Sequence, residues 1–208
     1  MLLPDGVPAR FRGTIAGLGT TRGVRIVVGT WSDSPYGAFA DVMLAEPGGT
    51  RRLLAPTAEV AAFVAATYLF DDVLVVPVEV RRVDESILVS AGELEVTYRV
   101  GRRTPLGWAL RAVPAPVATS VSWSRLTDPV ARSLLRGVRT RGSAGHGRRE
   151  VYGATDHHGV THLSGTWRGV DLGTLARVSP DPGFGFASTP ERPSVTTLVT
   201  TVLDRSEG

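Results

Sequence analysis

The sequence predicts a mainly β protein of the β-rich α+β class, and three observations carry that prediction. Runs of β-branched and aromatic residues bounded by glycine and proline recur through the first ninety-odd positions. Several of these runs alternate polar with apolar residues, as half-buried strands do. Only one stretch combines a capping residue with a clear helical apolar period.

Residues 11–16, 23–31 and 37–46 read as the first three strands, with Arg12-Gly13-Thr14-Ile15 and Val24-Arg25-Ile26-Val27 alternating in polarity. Gly48-Gly49 marks a hairpin turn before a strand at 51–54, so a meander is expected. The one well-defined helix follows, with Thr57 as N-cap, Glu59 in its first turn, and Val60, Phe63, Val64 and Tyr68 on one face. Asp71-Asp72 ends it. Residues 73–80 are apolar on both faces up to Pro77, which predicts a central strand beside a bulge or an edge. Alternating strands are expected at 86–90 and 94–100, with Ala91-Gly92 between them.

Residues 101–148 break the rhythm. Pro105, Pro114, Pro116 and Pro129 divide them into short helical pieces, expected at 106–113 and at 129–135, before a glycine-rich loop over 142–147. This segment reads as a basic, partly helical insertion, of the kind that serves as a binding loop or lid. Strands resume at 149–154, 160–167 and 194–203, with Asp156-His157-His158-Gly159 as a polar hairpin tip. The length suits one domain spanning 1–208.

Charge and composition exclude several chemistries. None of the 23 basic residues is lysine and there is no cysteine. Arginine stays protonated (pKa above ~12) and delocalised, so no side chain here can form an imine with a carbonyl substrate. Without cysteine there is no disulfide, thiol nucleophile or thiolate metal site. The net charge of +3 conceals a strong asymmetry: residues 99–149 hold eleven arginines against one acid, a balance of +10, and the remainder carries −7. That block could dock an anion or lie across the acidic body. Trp108, Trp123 and Tyr152 among the arginines would suit stacking on nucleic acid, but no recognition motif accompanies them. The first residues lack a cationic leader pattern and no run is long enough to span a membrane, so a cytoplasmic protein without membrane insertion is expected.

Ser34-Pro35-Tyr36-Gly37-Ala38-Phe39-Ala40-Asp41 is the most distinctive stretch. Pro35 and Gly37 make a tight turn, and Phe39 and Asp41 share one face of the strand that follows. It resembles the Ser-Pro-x-Gly-x-(Tyr/Phe)-x-(Glu/Asp) segment of the acetoacetate decarboxylase-like superfamily. The resemblance implies a closed or nearly closed antiparallel β-barrel, cone-shaped, whose interior cavity the acidic residue helps to line. By resemblance, Asp41, with Tyr36 and Phe39, lines a ligand cavity. The family's Gly-x-Pro-Lys segment has no counterpart, so the fold can be kept but not the Schiff-base decarboxylation. Gly29-Thr30-Trp31 and Gly165-Thr166-Trp167 each resemble the Gly-x-Trp segment of lipocalin-like barrels, including the nitrobindin type, which keeps a lipocalin-like ligand-binding barrel as a further alternative.

The expected function is therefore binding of a small anionic or amphipathic molecule, with Arg102 and Arg103 drawing in its anionic group. Whether the chain is catalytic stays open; a lysine-independent acid-base enzyme (lyase, isomerase or hydrolase) on a small keto or hydroxy carboxylate is the alternative, with Asp41, Glu79 and Tyr36 as candidates. His158 and His162 share a face of a regular strand and are the candidate metal ligands, although no metal site and no cofactor is expected. Self-association is compatible with the sequence, and nucleic acid is not the expected partner. Borohydride reduction in the presence of a β-keto acid is expected to leave every side chain unmodified by peptide mass spectrometry; a reduced side-chain adduct would refute the exclusion of imine chemistry.

Overall fold

The structure, a computed structural model, describes residues 9–114, 141–143, 149–185 and 189–203. The chain runs β1 (Ala9–Thr20), β2 (Arg25–Asp33), β3 (Phe39–Ala45), β4 (Arg51–Ala55), α1 (Ala58–Ala65), β5 (Asp72–Val75), β6 (Val78–Val83), β7 (Ser86–Ala91) and β8 (Leu94–Arg103). Then come α2 (Pro105–Arg111), β9 (Arg141–Ser143), β10 (Arg149–Trp167), β11 (Val170–Asp171), β12 (Leu175–Ala176) and β13 (Ser194–Leu203). Ten strands form one path in the order β5-β4-β3-β2-β1-β13-β10-β8-β7-β6, with β9 and β11 on β10 and β12 on β1. Every pairing is antiparallel except that of β4 with β5. The protein is thus mainly β, as its composition and alternation predict.

The strand expected at 73–80 is instead two strands at opposite edges of the sheet. Pro77 has no N–H to donate, and the ladder breaks at Val76-Pro77. β5 pairs with β4 at one edge and β6 pairs with β7 at the other. Three Cα–Cα steps of about 3.8 Å separate Val75 from Val78, so the two edges lie within roughly 11 Å, a little over two strand spacings. The sheet therefore curls until it nearly closes, and β6 comes against β3.

Period-two alternation then assigns each residue to a side. Ala16 and Leu18, Ile26 and Val28, Val42 and Leu44, Leu54, Val89, Val96 and Leu163 fill the concave interior. One end of it is packed solid by Leu94, Trp167 and Leu172. Here the Trp167 Nε1 donates to Glu46 Oε1 at 2.9 Å, Arg52 Nε donates to the same oxygen at 3.1 Å, and Arg52 also pairs with Asp72. Burial would push Glu46 up, but those hydrogen bonds outweigh it and hold the carboxyl below its ordinary value.

The convex side of β2, β3 and β4 is covered by α1. Thr57 caps it, its hydroxyl accepting from the Val60 N–H at 3.2 Å. Val60, Ala61 and Val64 pack on Val27, Met43, Leu53 and Phe184. The helix stops at Ala65, so Tyr68 lies beyond it, where its hydroxyl meets that of Tyr152 at 2.7 Å.

A second helix, α2, occupies most of the 106–113 piece; Thr104 caps it by accepting from the Gly107 N–H at 3.1 Å. The helix expected at 129–135, Trp123 and residues 144–147 of the expected glycine-rich loop lie outside the described residues, whereas 142–143 of that loop belong to β9, paired with β10. The segment expected as a hairpin tip at 156–159 is in fact the interior of β10, a strand of nineteen residues. Its ladder with β8 is irregular at 158–162 and that with β13 at 154–156, bulges that let one strand follow the curved wall without a turn. No helix among the described residues is long and apolar enough to cross a membrane. Leu94→Ala, which empties a fully buried position at the packed end, is expected to cost about 2–5 kcal/mol by urea unfolding; a cost below about 1 kcal/mol would contradict this packing.

Candidate functional site

The other end of the barrel is not filled. A cavity of ≈490 Å³ opens there, within the size range of small-molecule sites. Its wall follows from the same alternation that builds the core. Val78, Val80 and Arg82 share the inward phase of β6, so the residue after two apolar core positions is an arginine at the mouth. On β8, Val96 is core and Tyr98 and Val100 line the cavity; on β7, Ile87 lines it, nearer the mouth than the core residue Val89. Above the layer of Ala16, Val28 and Val195, the next inward layer is Thr14, Thr30 and Thr197, which face one another across three strands. Glu85, in the β6–β7 turn, and His158 complete the rim.

The cavity is therefore amphipathic: Val80, Ile87, Val100 and Val195 are its apolar surface, and hydroxyls and charges stand around it. Tyr98 is 4% exposed, and burial pushes its phenol up, which the charge of Arg82 partly opposes; it stays a neutral hydroxyl. Arg82 donates from Nε to the Asp84 carbonyl at 3.0 Å, which orients the guanidinium. The His158 Nδ1 donates to the Gly101 carbonyl at 3.0 Å, and its Nε2 faces Asp156 Oδ2 at 3.5 Å.

Asp156 organises the adjoining corner. Its two oxygens take Arg103 Nε at 2.8 Å and Nη2 at 2.9 Å, and Oδ1 also accepts the His157 N–H at 2.9 Å. The arginine bonds outweigh burial and hold the carboxyl down at about 2. Arg103 lies 4.7 Å over the Trp108 ring, and Thr104 Oγ1 meets His157 Nδ1 at 2.8 Å, so α2 is fastened to β10. Burial lowers the His157 pKa, and among the described residues its buried Nε2 has no hydrogen-bond partner.

The residues expected to form the site are dispersed by this geometry. Tyr36, Phe39 and Asp41 do come together, but on the convex face. Because Val42 and Leu44 point inward, Asp41 points outward, where Phe11, Trp31, Tyr36, Phe39 and Phe63 form an aromatic cluster beside it. Asp41 is buried and accepts a hydrogen bond from Trp31 Nε1 at 2.9 Å; among the described residues no arginine pairs with it. Its paired residue is Gly29, and a Cβ there would stand 2.5 Å from Asp41 Oδ1, so a side chain at 29 would expel the carboxyl. The sharp turn before it is held by Ser34, whose Oγ accepts from the Tyr36 N–H at 3.0 Å, and by Gly37 at φ +76°.

Arg103 is spent on Asp156, and Arg102 is exposed outside the cavity wall. Glu79 is exposed on the outer face of β6, between the inward Val78 and Val80. His158 and His162 do not share a face: the irregular pairing between Val160 and His162 reverses the phase, leaving His158 at the cavity and His162 exposed. No group of three or more His, Cys, Asp or Glu among the described residues could hold a metal ion. The cavity residues overlooked in the sequence are Arg82, Glu85, Tyr98 and the three threonines. The regular Val78-Val80-Arg82 spacing was a signal for the first of them.

Burial raises the Asp41 carboxyl from 3.8 to about 6, against the Trp31 hydrogen bond. A raised folded value means that the contribution of Asp41 to stability is complete below pH ~4 and is lost as pH rises through ~6, by up to about 3 kcal/mol. Asp71 and Asp156, both held down at about 2, shift in the opposite sense and only below pH ~4. Urea unfolding of wild type and Asp41→Asn at pH 4.5 and 7.5 is expected to show the wild type losing ground to the variant at the higher pH; an unchanged difference would contradict the buried carboxyl.

No family model matches the chain, and no curated protein matches its sequence. Among solved structures, it is similar to an acetoacetate decarboxylase from Legionella pneumophila, with a TM-score of 0.45 and 11% identity over 98% of this chain and 90% of that one. It is also similar to a putative AttH from Nitrosomonas europaea, with a TM-score of 0.32 and 10% identity over 98% of this chain and 52% of that one.

Proposed function

We propose that the protein binds a small anionic or amphipathic molecule in the cavity at the unfilled end of the barrel, without forming a covalent imine. The observation that carries this reading is the change of the inward side chains from a packed apolar core to a layer of Thr14, Thr30, Thr197, Tyr98 and Arg82 around ≈490 Å³ of space. A barrel that needed only stability would fill such a layer with apolar side chains, since a void forfeits packing. Arg82 supplies a charge-assisted fork for a carboxylate or similar group, and the apolar wall takes the remainder of the molecule. With no lysine in the chain, substrate activation through a side-chain amine has no agent.

The test is calorimetric titration and thermal shift with a panel of small carboxylates that differ in apolar bulk. Saturable binding is expected, weakened about tenfold to a hundredfold by Arg82→Gln, as suits a lost hydrogen bond to a charge. Tyr98→Phe weakens it less, and Asp41→Asn, on the opposite face, leaves it unchanged. Binding that survives Arg82→Gln and Tyr98→Phe but is lost in Asp41→Asn moves the site to the convex face and overturns the reading, as does the absence of binding across the panel.

A further inference from the structure

The cavity mouth carries two opposite charges that do not neutralise each other. Arg82 and Glu85 both line it from the β6–β7 hairpin, three residues apart. Arg82 uses Nε on the Asp84 carbonyl, and Asp84 itself turns the chain at φ +53°. Among the described residues neither the Arg82 fork nor the Glu85 carboxylate has an ion-pair partner, although other surface arginines here do pair: Arg51 with Asp71, Arg168 with Glu93 and Arg177 with Glu191. The backbone places the two charged groups at different heights of the wall. Arg82 pairs with Ile87 in the hairpin ladder, whereas the Glu85 carbonyl accepts the Val100 N–H at 2.8 Å. Tyr98, on the strand that pairs with β7 at Ile87, lines the same cavity.

Resting on the reading that the cavity binds a small molecule, we propose that its ligand is a zwitterion of the amino-acid class, whose carboxylate meets Arg82 and whose ammonium meets Glu85. A simple carboxylate would satisfy Arg82 but bring its charge close to Glu85, a like-charge contact that discriminates against it. A simple amine would meet the reverse difficulty at Arg82. A molecule bearing both groups satisfies each, and an apolar side chain on it would lie against Val80, Ile87 and Val100.

Three probes of matched size separate the possibilities: phenylalanine, 3-phenylpropionate and 2-phenylethylamine, titrated calorimetrically into wild type, Arg82→Gln and Glu85→Gln. Wild type is expected to bind phenylalanine at least about tenfold more tightly than either singly charged probe. Glu85→Gln is expected to erase the preference over 3-phenylpropionate, and Arg82→Gln the preference over 2-phenylethylamine. Both positions are on an exposed hairpin end, and unchanged thermal midpoints of the free variants establish that they fold. Tighter or equal binding of 3-phenylpropionate by wild type overturns the zwitterion and leaves a carboxylate site standing. A phenylalanine preference that persists in Glu85→Gln overturns the assignment of the ammonium contact. If none of the three binds and the wider carboxylate panel also fails, the cavity is not a ligand site and both readings fall together.

Discussion

The two-residue link between β5 and β6 constrains everything else. Strands that neighbour each other in sequence stand at opposite edges of a ten-strand path, and Val76-Pro77 is too short to let those edges part. The sheet has to curl, and the curl creates a shared interior to which β1, β2, β3, β6, β7, β8, β10 and β13 all contribute. Once that interior exists, alternation along each strand decides which residues meet there. One end is sealed by Trp167 with Glu46, Arg52 and Asp72; at the other the inward positions turn polar and leave space.

The side of the sheet on which a residue falls is also what separates the two polar sites. Asp41 and its aromatic neighbours share the convex face with α1, where Gly29 makes room for the carboxyl. Arg82 and Tyr98 share the concave face with the core. A step of one residue along β3 would exchange Asp41 with Val42 and collapse both arrangements, which is why register there is strongly specified. β10 shows the complementary device: its bulges change the phase within one strand, bringing His158 to the cavity while His162, four residues on, stays outside.

Among the described residues, none of the arginines of the 99–149 segment, Arg99, Arg102, Arg103 and Arg111, lines the cavity. Arg103 is neutralised by Asp156 and stacked on Trp108, a structural use that fastens α2 to β10. Arg82, which does line the cavity, lies outside that segment. Local charge density follows the chain, whereas a cavity gathers residues from strands far apart in sequence, so a dense basic block and a binding cation need not coincide.

The sequence by itself determined the β-rich class, strands at 86–90, 94–100 and 194–203, the Thr57-capped helix and the impossibility of side-chain imine chemistry. These depend on local periodicity, on capping and on which functional groups are present at all, and none needs a partner strand. Only the tertiary structure decided that 73–80 divides between two edges, that 156–159 lies inside a strand, and that Asp41 turns away from the cavity while Arg82, Glu85 and Tyr98 turn toward it. Alternation tells that neighbouring residues face opposite sides, but it does not tell which side is the interior. That is set by closure of the sheet and by bulges that reverse the phase, both products of contacts between residues remote along the chain.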